Sequence, residues 1–271
     1  MSDGAEPEEA TIDEIAFLSR SRTRVRILDL LRGAGRLDER ELRTRLDASR
    51  TTIGRNVAAL CERGFLANGE GEYTLTRAGE TIAADLFDLV GTVEVTRRLE
   101  PLLRWLPDGA LDVDLRQLAD AKVILAEEAN PYAPVNRHVE ALKRAEDVRL
   151  FVGVAGQHAW EIAKRRVVEE NATHEYVIGS GVVETLRSDP NYATPCEAML
   201  ETDRFDLSVY DGEVPYYLGL LDDTIQIGVE DDEGMPRALL ETDVEGIGKW
   251  ATDTYAGYRE RSTPFSMEAV P

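Results

Sequence analysis

Between Arg20 and Gly79, apolar residues recur at helical spacing in three successive blocks and then give way to two short runs around a glycine turn. Val25, Ile27, Leu28, Leu30 and Leu31 form the stripe of a first helix that stops at the Gly33 to Gly35 turn. Asp38 is expected to cap a second helix, with Glu41 completing a capping box and Leu42 and Leu46 facing inward. Asp47 and Ala48 make a tight turn. Ser49 then caps a third helix, whose buried face is Ile53, Val57, Leu60 and Cys61. After Gly64, the run FLANGEGEYTLTRAG reads as a strand, an Asn68-Gly69 turn and a second strand.

This order of three helices and a hairpin predicts a winged helix-turn-helix over residues 15–78. A rotation of a hundred degrees per residue carries Thr51, Thr52, Arg55 and Glu62 to the outward side of the third helix, with Asn56 at its edge. Short hydroxyls at a helix start can meet phosphates or thymine methyls, and an arginine one turn on can reach a guanine edge. Ser49, Arg50, Thr51, Thr52, Arg55 and Asn56, with Asn68 and Arg77 from the hairpin region, are therefore the candidate contacts to double-stranded DNA. Glu70 and Glu72 work against phosphate binding at the hairpin tip.

A net charge of −21 would ordinarily exclude a polyanionic partner. The charge is unevenly placed, however: residues 15–78 hold 13 arginines against 8 acids, whereas the first 14 residues hold 6 acids and no base. Lysine is confined to Lys122, Lys143, Lys164 and Lys249, so nearly all positive charge is arginine on an acidic protein. That usage resembles proteins of extreme halophiles. Cys61 and Cys196 have no metal-ligand or disulfide spacing, and neither a signal peptide nor a membrane-length apolar run is evident. A cytoplasmic protein with no metal and no cofactor is expected.

The acidic head (residues 1–14) and the tail (263–271) lack periodic apolar pattern and are expected to be mobile or loosely docked. Residues 79–107 read as a helical connector, with Gly91 as a break and Pro107 as a stop. Operators are usually palindromic, so this connector is the natural element of a homodimer. Residues 108–262 alternate strand and helix through AKVILAEE, VRLFVGV and HEYVIG. FDLSVYDG, PYYLGLL, TIQIGVE and RALLETD follow as antiparallel strands, before a last helix from about Val244 to Arg261. The fold class is α+β: an N-terminal winged helix-turn-helix, a helical connector and a C-terminal mixed α/β domain.

The blocks RVRILDLL, LDERELRTRLDASRTTIGRNVAALCERGFL and YTLTRAG resemble the winged-helix domain of haloarchaeal regulators distantly related to the arsenic-repressor and multiple-antibiotic-resistance groups. NPYAPVNRHVEALKRA, LLDDTIQIGVEDDEGMPRALLETD and WATDTYAGYRE resemble the effector domain of the archaeal methanogenesis-regulatory-protein family. The resemblance implies a one-component transcriptional regulator without enzymatic activity, controlled by an unidentified small molecule.

The C-terminal architecture resembles a phospholipase-D-like sensor domain, and its chemistry can be tested on the residues. That catalysis needs a histidine nucleophile with a lysine two positions on. His138, His158 and His174 are followed at that position by Glu140, Trp160 and Tyr176, so a hydrolase of that type is excluded. Ligands in open α/β sheets sit at the carboxyl ends of parallel strands, which makes Asn130, Tyr132, Asn136, His138, Gln157 and His158 candidate effector contacts. The competing reading is a protein-interaction module of a transcription or signalling complex that never touches DNA.

Overall fold

Residues 8–267 are described in the computed structural model, and the chain separates between Gly91 and Thr92 into an amino-terminal and a carboxy-terminal unit. The first contains α1 (Glu9–Ser19), α2 (Arg22–Ala34), β1 (Arg36–Asp38), α3 (Glu39–Arg45), α4 (Arg50–Glu62), β2 (Leu66–Gly69) and β3 (Glu72–Leu75). The strands form one small sheet in the order β1-β3-β2. Each helix start follows from its cap. Ser21 accepts from the Arg24 amide, Asp38 and Glu41 close a reciprocal capping box, and Ser49 accepts from the Thr52 amide at 3.2 Å. α4 ends where Gly64 takes a left-handed φ of 75°, its amide reaching the Cys61 carbonyl while Phe65 reaches Leu60. The core under these elements is Ile27, Leu28, Leu31, Leu42, Ile53, Val57 and Leu60, each contributing about 1.5–3 kcal/mol by leaving water. This is the winged helix-turn-helix expected from the sequence.

Three local expectations need correction. The acidic head is helical from Glu9: Leu18 is buried, and the Phe17 ring lies 3.6 Å from the Arg24 guanidinium and 3.9 Å from that of Arg63. Arg63 also pairs with Glu14 at 2.6 Å, so cation–π and ionic contacts hold α1 where apolar periodicity gave no signal. Residues 1–7 lie outside the described residues. In the hairpin, the turn is at Glu70-Gly71, whose φ values of 56° and 87° are both left-handed, rather than at Asn68-Gly69. The longer hairpin sets Leu66 opposite Leu75, whereas a turn two residues earlier would set it opposite Gly71.

The connector is the third correction. α5 (Arg77–Leu103) runs unbroken through Gly91, and it is shared: residues up to Gly91 belong to the first unit and those from Thr92 to the second. A glycine within a helix costs only about 1 kcal/mol against alanine, which the long flanking runs absorb. At Gly79 the glycine is required, because a Cβ there would stand 2.0 Å from the Phe65 carbonyl oxygen.

The second unit is an eight-stranded mixed sheet between two helical layers. Its elements are β4 (Lys122–Leu125), α6 (Ala133–Leu142), β5 (Asp147–Val152), α7 (Gln157–Lys164), β6 (Thr173–Gly179), α8 (Ser180–Ser188) and α9 (Pro190–Leu200). β7 (Phe205–Tyr210), β8 (Tyr217–Leu221), β9 (Thr224–Glu230), β10 (Pro236–Thr242), α10 (Glu245–Glu260) and β11 (Thr263–Pro264) follow. The strand order is β11-β7-β6-β5-β8-β9-β10-β4. Alternation sorts the faces: Val148, Leu150, Tyr176 and Ile178 pack with α6 to α9, whereas Phe151 and Val177 pack with α10 and the end of α5.

β7 was expected to pair antiparallel with the strand after it. It instead lies parallel to β6, because α8 and α9 provide a crossover long enough to return the chain in the same direction. The tail is docked: β11 pairs with β7, and Phe265 is buried with its amide on the Leu207 carbonyl at 2.8 Å. Residues 268–271 lie outside the described residues.

His174 is 1% exposed on β6 and bonds through Nδ1 to the Tyr176 hydroxyl at 2.9 Å. Burial, then the nearby Arg166 guanidinium, hold its imidazole down to about 4 from 6.5. The unfolded chain therefore binds the extra proton first, and stability is lost as pH falls from about 6.5 to about 4. Denaturant unfolding of a His174→Gln variant is expected to show a pH dependence over that window shallower than the parent's by up to about 3 kcal/mol. Identical slopes would remove the assignment.

Candidate nucleic-acid interface and sheet-edge cavity

The sequence places a short polar face on α4, and the capped helix start keeps it outward. Thr51 and Arg55 are exposed and Thr52 is half-buried. Ser49 Oγ and Thr52 Oγ1 lie 2.9 Å apart, so the capping hydroxyl and the face hydroxyl are set by one interaction. Arg50 leans onto α3, its Nε donating to Glu39 at 3.0 Å. Arg55 has no ion-pair partner among the described residues. Together with burial and Arg63, its charge holds the Arg24 guanidinium below its ordinary value. Arg24 thus feels the charges of both Arg55 and Arg63, and an anion at Arg55 would relieve part of that repulsion. Next to Arg55 the helix surface is open, with nothing within 4 Å of a Cβ built at Gly54.

Two of the predicted contacts sit elsewhere than expected. Asn56 is 5% exposed: its amide donates to the Thr52 carbonyl at 2.8 Å, and its Oδ1 accepts from Ser21 Oγ at 3.2 Å. It ties α4 to the cap of α2 and is not available to DNA. Helical rotation alone put it at the boundary of the faces, and burial by the neighbouring helix decided the matter. Asn68 is exposed but belongs to β2, opposite Tyr73, rather than to the turn. Arg77 is exposed at the first residue of α5.

In the second unit, β4, β5, β6, β7 and β9 all point the same way, and a cavity of about 600 Å³ opens at the edge where β5, β6 and β9 end and β8 begins. His138 of α6, Trp160 of α7, Tyr176 of β6, Tyr216 and Tyr217 beside β8, and Glu230 of β9 stand on its walls. Of the six predicted effector contacts, only His138 lines it. Asn130 and Tyr132 are exposed in the loop before α6, and Asn136 is two residues from His138, on another side of the helix. Gln157 and His158 are exposed at the start of α7 and turn to Glu161, leaving Ala159 and Trp160 to face the cavity.

His138 is oriented by a buried polar chain that begins at Glu241. Arg137 Nε donates to Glu241 Oε2 at 2.8 Å, a second guanidinium nitrogen reaches Oε1, and Gln226 Nε2 donates to Oε2 at 3.1 Å. Against burial, these bonds hold the Glu241 carboxyl below its ordinary value. A carboxylate only accepts, so Gln226 must give it the amide nitrogen and turn Oε1 toward His138 Nδ1 at 3.1 Å and the Tyr217 hydroxyl at 3.4 Å. Burial lowers the His138 pKa and keeps the ring neutral. Nδ1 stands between Gln226 Oε1 and the Tyr217 hydroxyl, which is 2.8 Å away, and Nε2 has no hydrogen-bond partner among the described residues. The sequence carried one sign of this chain: Gln226 and Glu241 interrupt otherwise apolar strands, and β9 and β10 pair them directly.

Comparison with known proteins adds two family matches. Residues 12–98 match the family described as the HVO_A0261 N-terminal domain, and residues 131–261 match that of the methanogenesis regulatory protein FilR1, middle domain. No curated protein matches the chain. Among solved structures, TrmBL2, described as an archaeal chromatin protein showing a novel mode of DNA binding, aligns at TM-score 0.43 and 11% identity, covering 95% of this chain and all of that one. NucT from Helicobacter pylori aligns at 0.40 and 12%, over 54% of this chain and 98% of its own. Nuc from Salmonella typhimurium, a phospholipase D family member, aligns at 0.42 and 9%, over 54% and 97%. Likenesses this loose carry no functional argument. No helix among the described residues is long and apolar enough to cross a membrane.

The contrast between Asn56 and Thr51 is measurable in the free protein. Asn56→Ala is expected to lower unfolding stability by about 1–3 kcal/mol, since it leaves buried groups without partners. Thr51→Ala should stay within about 0.5 kcal/mol of the parent. The opposite ranking would return Asn56 to the surface set.

Proposed function

We propose that the chain is a sequence-specific DNA-binding transcriptional regulator of the haloarchaeal type, working as a homodimer under a small-molecule effector bound in the carboxy-terminal unit. The observation that carries this reading is the exposed α4 face, on which Thr51 and Arg55, without an ion-pair partner among the described residues, stand on a rigidly capped helix within the one basic segment of an acidic chain. The match of residues 131–261 to the middle domain of a regulatory protein supports regulation, and that span includes His138, Tyr217 and Glu230 of the cavity. No enzymatic activity is part of the proposal.

In a saline cytoplasm counterion release contributes little to affinity, so contacts to base edges have to dominate. Arg55 is the side chain placed for one. Leu89 and Val93, 55% and 46% exposed and one turn apart on α5, are the apolar stripe through which two copies would meet. An effector alters DNA affinity only by preferring one arrangement of the dimer, typically by about 1–3 kcal/mol.

Genome-wide mapping of the tagged protein would identify its sites, and binding to such a site in vitro then tests the reading. Arg55→Ala is expected to reduce selectivity for the mapped site by about 1–3 kcal/mol, and the parent's affinity should fall with added salt. Unchanged selectivity, or indifference to salt, would favour a docking module instead. In sedimentation, Leu89→Asp with Val93→Asp should shift the protein towards monomer.

A further inference from the structure

The sheet-edge cavity is chemically one-sided. Its lining includes Glu213, Glu230, Asp231 and Asp232 and contains no lysine or arginine. Asp231 is already engaged, accepting from Arg237 Nε at 2.6 Å and from the Glu233 and Met235 amides at 2.9 Å each. Glu230 is half-buried at the end of β9 and has no hydrogen-bond or ion-pair partner among the described residues. Burial, then the neighbouring Asp231 charge, raises its pKa, as expected of a carboxylate that lacks a compensating cation. The remaining walls are aromatic and aliphatic: Trp160, Tyr176 and Tyr216 together with Val152, Val229 and Leu239.

An anionic ligand would have to enter beside Glu213, Glu230 and Asp232, with the nearby Arg237 guanidinium already committed to Asp231, and burying it there would be costly. A small apolar molecule bearing positive charge meets the reverse situation. Its body fills an aromatic cavity of drug-sized volume, its charge lies against ring faces, and Glu230 acquires the counter-charge it lacks. His138, whose Nε2 has no hydrogen-bond partner among the described residues, adds a neutral polar group to the same lining.

We infer that the effector cavity selects an organic cation with an aromatic or aliphatic body, and that Glu230 is the residue that reads its charge. This assignment rests on the proposal that the carboxy-terminal unit senses a small molecule, and it names the class of that molecule. Phosphorylated and carboxylate compounds are excluded from the site on the same grounds.

Three probes of nearly one shape separate charge from size: phenethylammonium, phenethyl alcohol and 3-phenylpropanoate. Each is titrated into the full-length protein by calorimetry in one buffer, with Trp105 and Trp160 on the cavity wall giving a fluorescence readout. Phenethylammonium is expected to bind at least about tenfold more tightly than 3-phenylpropanoate. Glu230→Gln removes charge but no internal bond; it should weaken the cation about tenfold and leave the alcohol unchanged. Glu213→Gln, at an exposed position, is the second variant and should weaken the cation less. Equal or tighter binding of the anion, an unaltered cation affinity in Glu230→Gln, or binding of none of the probes would overturn the assignment. DNA binding by the same protein is measured alongside. Selective cation binding without DNA binding would sink the regulator and spare the cavity, whereas Arg55-dependent DNA binding with no probe bound would do the reverse.

Discussion

A carboxylate buried in a sheet has to be neutralised where it stands, and much of the carboxy-terminal unit is arranged around that requirement at Glu241, whose side chain is 7% exposed. Removing one partner of such a pair typically costs about 3–5 kcal/mol, because the remaining charge is stranded away from water. Meeting the requirement draws Arg137 from α6 to both carboxylate oxygens and Gln226 from β9 to one of them. Arg137 and His138 are adjacent in sequence, so docking one against Glu241 sets the other against Tyr217. The polarity of the cavity wall is therefore inherited from an ion pair behind it.

The amino-terminal unit solves a different problem. Its helices are short, and α3 has only seven residues, so intrinsic propensity cannot hold them. Side-chain caps at Ser21, Asp38 and Ser49 satisfy the amides at the helix starts, while leucines and isoleucines from α2, α3 and α4 close a single core. Asn56 joins these two devices, since it accepts from the hydroxyl that caps α2 and donates to the Thr52 carbonyl of its own helix. The polar face of α4 stays free because its stability is supplied entirely from the other side.

Much of this architecture was legible in residues whose role is local. Ser49, Asp38 with Glu41, and the apolar stripes announced helices at the positions where they stand, and alternation announced the strands of the sheet. What escaped was decided by distant partners. The pairing direction of β7 depended on a crossover rather than on its own residues. α1 depended on two arginines from α2 and the end of α4. The candidate DNA face was readable except for Asn56, whose burial depends on Ser21, 35 residues away. The cavity was far less readable: of six candidates chosen by nearness to strand ends only His138 belongs to it. Position along a strand gives the correct edge of the sheet but not which side chains turn into it.

The sheet also ends abruptly at both rims. On one, β11 is two residues long and finishes in Pro264, a residue with no amide hydrogen to offer; on the other, β4 has four residues and begins with a lysine. Short, proline-bearing or charged margins give an incoming chain little to zip onto. Copies of this protein are thereby steered away from stacking by strand extension, the route by which exposed sheets become fibrils, even at high protein concentration.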